Sequence, residues 1–89
     1  MTILLLCSGL EPGKDGVGDY ARRLAQACVG LDHSCHLIAL NDPHVSEFVK
    51  AEEPAGGDRH IATLRLPATM PWSERIKLAI EFRSRVRCV

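Results

Sequence analysis

The sequence predicts an α/β fold, a Rossmann-like parallel sheet of about three strands with flanking helices. Three observations carry that expectation. "ILLLC" opens an apolar run over residues 3–9 that Ser8 and Gly9 close, as in a strand buried on both faces. Two further strand-like runs follow, "CHLIALND" at 35–42 and "HIATLRLP" at 60–67. Helical periodicity fills the stretches between and after them, and such alternation calls for parallel strands joined by right-handed crossovers.

Each element has its own signal. After the first run comes a loop from Leu10 to Gly16, then Val17, Tyr20, Ala21, Leu24, Cys28 and Leu31 recur at helical spacing. Asp19, Arg22, Arg23 and Gln26 fall opposite, so the apolar set is expected to face the sheet, with Gly30 as a stop. The run at 35–42 is apolar in its middle and is interrupted by Pro43. "VSEFVKAE", residues 45–52, suits two short helical turns, and "PAGGD" (54–58) a turn. Residues 60–67 alternate apolar and polar, as a strand near a sheet edge does, and Pro67 and Pro71 end it. From Trp72 a last helix is expected, marked by Ile76, Ala79, Ile80 and Val86, with Glu81 and Arg85 one turn apart.

Bulk properties narrow the function classes. The 89 residues suffice for one small domain, residues 1–89. Acidic and basic residues balance at 11 each, so no global field draws the chain to nucleic acid or an acidic membrane. Arg83, Arg85 and Arg87 are scattered over different helix faces and lack interleaved aromatics, which again argues against nucleic-acid binding. The longest apolar run is too short to span a bilayer, and the amino terminus lacks the marks of a signal peptide. A cytoplasmic protein is expected, with Cys7, Cys28, Cys35 and Cys88 as reduced, small hydrophobes. His33, Cys35 and His36 cluster, but Cys35 and His36 alternate in direction on a strand and no fourth ligand completes a tetrahedron. No metal site is expected.

Chemistry concentrates in "EPGKDGVGDYARRL", residues 11–24. Glycines in front of a helix let an anion approach free N–H groups and the positive end of the helix dipole. "GVGDYA" formally matches the G-x-G-x-x-A dinucleotide fingerprint. Leu10 to Asp15, however, separate the first glycine from the strand, and Asp19 sets a carboxylate where a phosphate would sit. Carboxyl ends of parallel strands gather ligands, which places Ser8–Gly18 and Asn41–His44 on one rim. Asn41, Asp42 and His44 offer polar groups there, or a helix cap beside Pro43.

"GLEPGKDGVGDYARRLAQA" after a short strand, followed by "HSCHLIALND", resembles the start of the group-1 glycosyltransferases of the two-Rossmann-domain (GT-B) architecture, the glycogen-synthase-like family. Gly16, Val17, Gly18, Tyr20 and Leu24 fill the places of its helix-opening pattern, and "WSER" at 72–75 also fits. The resemblance implies sugar transfer from a nucleotide-sugar donor to an acceptor, with no metal and no other cofactor. It implies backbone contacts from Gly16, Val17 and Gly18 to the donor diphosphate. Lys14 would meet phosphate charge, and Asn41 and Asp42 would line the acceptor rim. No pair of glutamates has the E-x7-E spacing that the family carries in its second domain. The chain is therefore expected to be an amino-terminal part of such an enzyme, truncated relative to the full domain and inactive alone. The competing readings are a non-catalytic α/β interaction module and a nucleotide- or NAD-binding Rossmann fragment. With the family's neighbouring strand missing, residues 3–7 are expected to leave an open strand edge through which the chain self-associates.

Overall fold

The computed structural model describes residues 2–84. Its elements are β1 (Thr2–Cys7), α1 (Gly16–Gly30), β2 (Ser34–Asp42), β3 (Val49–Pro54), β4 (His60–Pro67) and α2 (Trp72–Ser84). The α/β class is as the sequence predicts, with one four-stranded, mostly parallel sheet in the order β1-β2-β4-β3. β1 pairs in parallel with β2, from Thr2 opposite Ser34 to Cys7 opposite Ala39. β2 pairs in parallel with β4, the register shifting between Ala39 and Asp42.

Strand alternation divides the core in two. On one face Leu37, Ala39, Ile61 and Cys35 meet Leu10 and the Ala21, Ala25 and Val29 side of α1. On the other, Ile38, Leu64 and Leu66 meet Phe82 of α2, with Leu4 and Leu40 packed alongside. A fully buried Leu or Ile contributes about 1.5–3 kcal/mol, so β2, apolar towards both faces, and β4, with Ile61 on one face and Leu64 and Leu66 on the other, anchor the fold. Those two strands are the middle of the sheet, and β1 and β3 are its edges.

Three expectations are corrected. Residues 49–54 are not helical. Val49 to Pro54 form a strand antiparallel to β4, and the open stretch before them ends at Phe48. A tight turn makes this possible: Gly56 (φ 102°) and Gly57 (φ 57°) adopt left-handed backbone conformations that favour glycine, and Ala55 N–H donates to Arg59 C=O. β4 therefore lies inside the sheet, and its polar positions Thr63 and Arg65 are enclosed.

The helix faces are also rotated from expectation. In α1 the buried residues are Gly18, Ala21, Ala25 and Val29, while Val17, Tyr20, Leu24 and Leu31 are exposed. Small residues let the helix lie close to β1 and β2, and this close approach wins over the larger apolar set. In α2, Arg75 and Phe82 are buried, Leu78 and Ala79 half-buried, and Ile76 and Ile80 exposed. Val86, Arg85, Arg87 and Cys88 lie outside the described residues.

Candidate functional site

The rim at the carboxyl ends of β1, β2 and β4 is organised by the carboxylate of Asp42. It is fully buried and accepts from Leu10 N–H (3.0 Å), His44 N–H (2.9 Å) and Arg65 Nε (2.8 Å). Burial pushes this carboxyl up, but the Arg65 hydrogen bond, the two backbone donors and the Arg65 charge together hold it below the usual carboxylate range. Arg65 Nη2 also reaches Glu11 Oε2 at 3.2 Å. One arginine on β4 thus ties the glycine-rich loop to the end of β2.

The loop is braced by two further carboxylates. Asp15 caps α1, its Oδ1 accepting from Gly18 N–H at 3.0 Å, as an Asx N-cap does. Asp19 accepts from Gly13 N–H at 3.2 Å, with Gly13 at φ 72°. Gly18 is buried against the preceding loop: a Cβ there would lie 2.4 Å from Gly9 C=O, so only glycine allows this close approach. Gly16 differs, with open space where its Cβ would be. Lys14, Gly16 and Val17 are exposed at the tip of the helix. Among the described residues no hydrogen bond within the protein takes up the N–H of Gly16 or Val17.

Asn41 faces the far side of the rim. Its N–H donates to Ser8 C=O (2.9 Å), and its Oδ1 accepts from Arg75 Nη1 (3.0 Å). Arg75 also donates to the carbonyls of Met70, Leu40 and Ala68, and its guanidinium lies 3.7 Å from the centre of the Trp72 ring. Of the residues expected to bind substrate, the structure therefore brings Lys14, Gly16 and Val17 together on an accessible helix tip. Gly18, Asn41 and Asp42 hold the rim in shape.

The two arginines that organise this rim are the residues that sequence reasoning passed over. Arg65 had a signal: a charge within an apolar strand requires a buried partner. Arg75 lies in the quoted "WSER", but its reach to four acceptors depends on how α2 docks.

Elsewhere, His36 and Cys35 point to opposite faces of β2, with Cys35 in the α1 core. No group of three His, Cys, Asp or Glu side chains among the described residues could hold a metal ion. Burial raises the thiols of Cys35 and Cys7, the neighbouring Cys28 adding to the first and Asp15 to the second, so neither is primed as a nucleophile. An open hollow of about 530 Å³ between β3, β4 and α2 is bordered by His36, Lys50, Glu52 and Phe82, on the α2 face of the sheet. Burial lowers the pKa of His36, whose ring meets Phe82 edge-on at 6.0 Å. No helix among the described residues is long and apolar enough to cross a membrane. The chain matches no protein-family model, no curated protein and no solved structure.

Proposed function

We propose that these residues are the acceptor-side, amino-terminal part of a glycosyltransferase that moves a sugar from a nucleotide-sugar to an acceptor. The observation that supports this most is the tip of α1. Lys14 and the unpaired N–H groups of Gly16 and Val17 are exposed together at the carboxyl end of β1, where the resemblance puts the donor diphosphate. The open space at Gly16 leaves room for that group. Asp15 and Asp19 occupy the neighbouring donors, which limits the anion to the outer side of the turn. Gly18 acts here through packing rather than through contact with phosphate, and Asp42 and Asn41 act through the loop they hold.

Catalysis needs groups that stabilise the transition state, and the resemblance puts most of those groups, with the donor, in a second domain. The 89-residue protein is accordingly expected to bind a diphosphate weakly and to turn over no UDP-, GDP- or ADP-sugar. Amide chemical shifts followed during titration with pyrophosphate and with ADP test the binding. Saturable shifts centred on residues 14–17 are expected. Shifts elsewhere, or none at tens of millimolar ligand, would overturn the reading, as would turnover by the chain alone.

A further inference from the structure

The two edges of the sheet are built differently. The β3 edge carries Lys50, Glu52, Glu53 and Pro54, residues that deter another strand from pairing. The β1 edge, "TILLLC", has no charge, no proline and no bulge, and β2 is the only strand beside it among the described residues. Leu6 on this strand is 60% exposed.

Both helices extend that bare edge with apolar surface. On the α2 side, Leu4 and Leu6 of β1 and Ile76 and Ile80 of α2 line an apolar groove of about 190 Å³. Trp72, Ile76 and Ile80 follow one another at four-residue intervals, forming a single stripe along the helix. On the other face, Arg22 of α1 leans towards β3, where it pairs with Glu53 at 2.8 Å. At about 100° per residue, Val17, Tyr20 and Leu24 fall on the opposite flank, that of β1, and the exposed Leu31 caps the helix beyond them. This stripe also holds no charge. A strand edge and the flanks of two helices, one on each face, thus form a continuous apolar side of the molecule.

We propose that this side is covered by a second copy of the chain, with β1 pairing antiparallel to its counterpart across a two-fold axis normal to the sheet. That axis keeps each helix on its own face, so α1 meets α1 and α2 meets α2, stripe against stripe. An isologous contact sets each group against or near its own copy, and charged groups would there repel. Neither β1 nor the α1 stripe has any, and Arg83 is the one charge bordering the α2 groove. The area is adequate. The eight large apolar residues on this side are 41% to 72% exposed. Each offers on the order of 100 Å², which totals about the 800 Å² per partner of a standard interface. The result is a continuous sheet of two copies whose remaining outer edges are the two guarded β3 strands.

Sedimentation of the 89-residue protein from low-micromolar to millimolar concentration, combined with amide hydrogen exchange, tests this. A dimer is expected, with those amides of residues 3–7 that point away from β2 gaining protection at least tenfold as it forms. Leu6→Arg is expected to weaken dimerisation at least tenfold and Leu6→Met to leave it intact. Ile80→Glu, on exposed helix surface, is expected to weaken it without altering the monomer's circular dichroism. A monomer at millimolar concentration would overturn the proposal and leave this side to a segment of another kind. It would equally be overturned by a dimer in which those outward amides exchange freely, by open-ended oligomers, or by a Leu6→Arg protein that dimerises as before. These outcomes are read at residues 3–7 and Ile80, none of which belongs to the diphosphate site proposed at residues 14–17, and Val17 is the one residue the two surfaces share.

Discussion

Arg65 donates from Nε to the fully buried Asp42 carboxylate at 2.8 Å, and this pair joins the ends of β4 and β2 beneath the glycine-rich loop. The partners are unequal to replace. Removing Arg65 leaves a buried carboxylate facing only backbone donors, whereas removing both partners leaves no buried charge, only the partly exposed Glu11 carboxylate without its ion pair. Arg65→Ala is expected to cost about 3–5 kcal/mol. The double variant Arg65→Ala/Asp42→Leu should cost less than Arg65→Ala and Asp42→Leu summed, because loss of one partner already forfeits the interaction. Urea denaturation of the four proteins checks this, and strict additivity would show that the pair is not coupled.

Stability should fall with pH through two groups, whose losses begin at different pH values. The folded pKa of His36 is lowered by burial, so the unfolded state binds the proton more readily. Its contribution is complete above the unfolded value, about 6.5, and is lost as pH falls through the lower folded value. Asp42 is also depressed when folded, and its contribution is complete above about 3.9 and lost as pH falls further through its folded pKa. His36→Phe should remove the loss that begins at the higher pH and leave the other, and Asp42→Asn should flatten that other. Thermal melts between pH 7 and 3 measure both.

Gly16 and Gly18 lie two positions apart and should respond oppositely to a methyl group. Gly18→Ala drives a Cβ to 2.4 Å from the Gly9 carbonyl, backbone against backbone, and a cost of about 1–3 kcal/mol is expected from overpacking. Gly16→Ala meets open space at an unstrained helix start and should be neutral or stabilising by up to about 1 kcal/mol. If the proposed diphosphate contact is right, Gly16→Ala should nonetheless weaken pyrophosphate binding. Equal destabilisation by the two would contradict the packing described for Gly18.

These particular residues show how far the sequence could be read. The parallel arrangement of β1, β2 and β4 was legible from the apolar runs at 3–9 and 35–42, the alternating run at 60–67 and the helical stretches read between them, although the segment between β2 and β4 holds a strand. The strand at 49–54 was not, since "VKAEEP" has no apolar face of its own and is fixed by pairing with β4. The orientation of α1 was misleading for a related reason. Period alone finds Val17, Tyr20 and Leu24, but the distance between helix and sheet selects Ala21, Ala25 and Gly18. The loop could be located from its glycines, while the division between Gly16, open to solvent, and Gly18, locked against Gly9, depends on a backbone approach that no spacing encodes.

Arg75 offers the last test, because it joins α2 to the rim through an unusual number of acceptors. Although charged, it is only 5% exposed, and it donates to the carbonyls of Met70, Leu40 and Ala68 and to Asn41 Oδ1. These carbonyls lie where β2 and β4 end and the chain turns into α2, so they have few backbone partners of their own. Arg75→Met keeps much of the side chain's volume but leaves them unsatisfied. A buried acceptor without a donor costs about 1–3 kcal/mol, so a total loss of at least about 3 kcal/mol is expected if water cannot enter. Asn41→Ala removes one acceptor from the same arginine and should cost about 1 kcal/mol. Trp72 is the chain's sole tryptophan and stacks against this guanidinium, so its fluorescence reports the site directly. In Arg75→Met the emission should shift under native conditions, and the urea midpoint should drop well below that of Asn41→Ala. An Arg75→Met protein as stable as the parent, with unchanged emission, would mean that α2 is held to the sheet by Phe82 and its apolar neighbours alone.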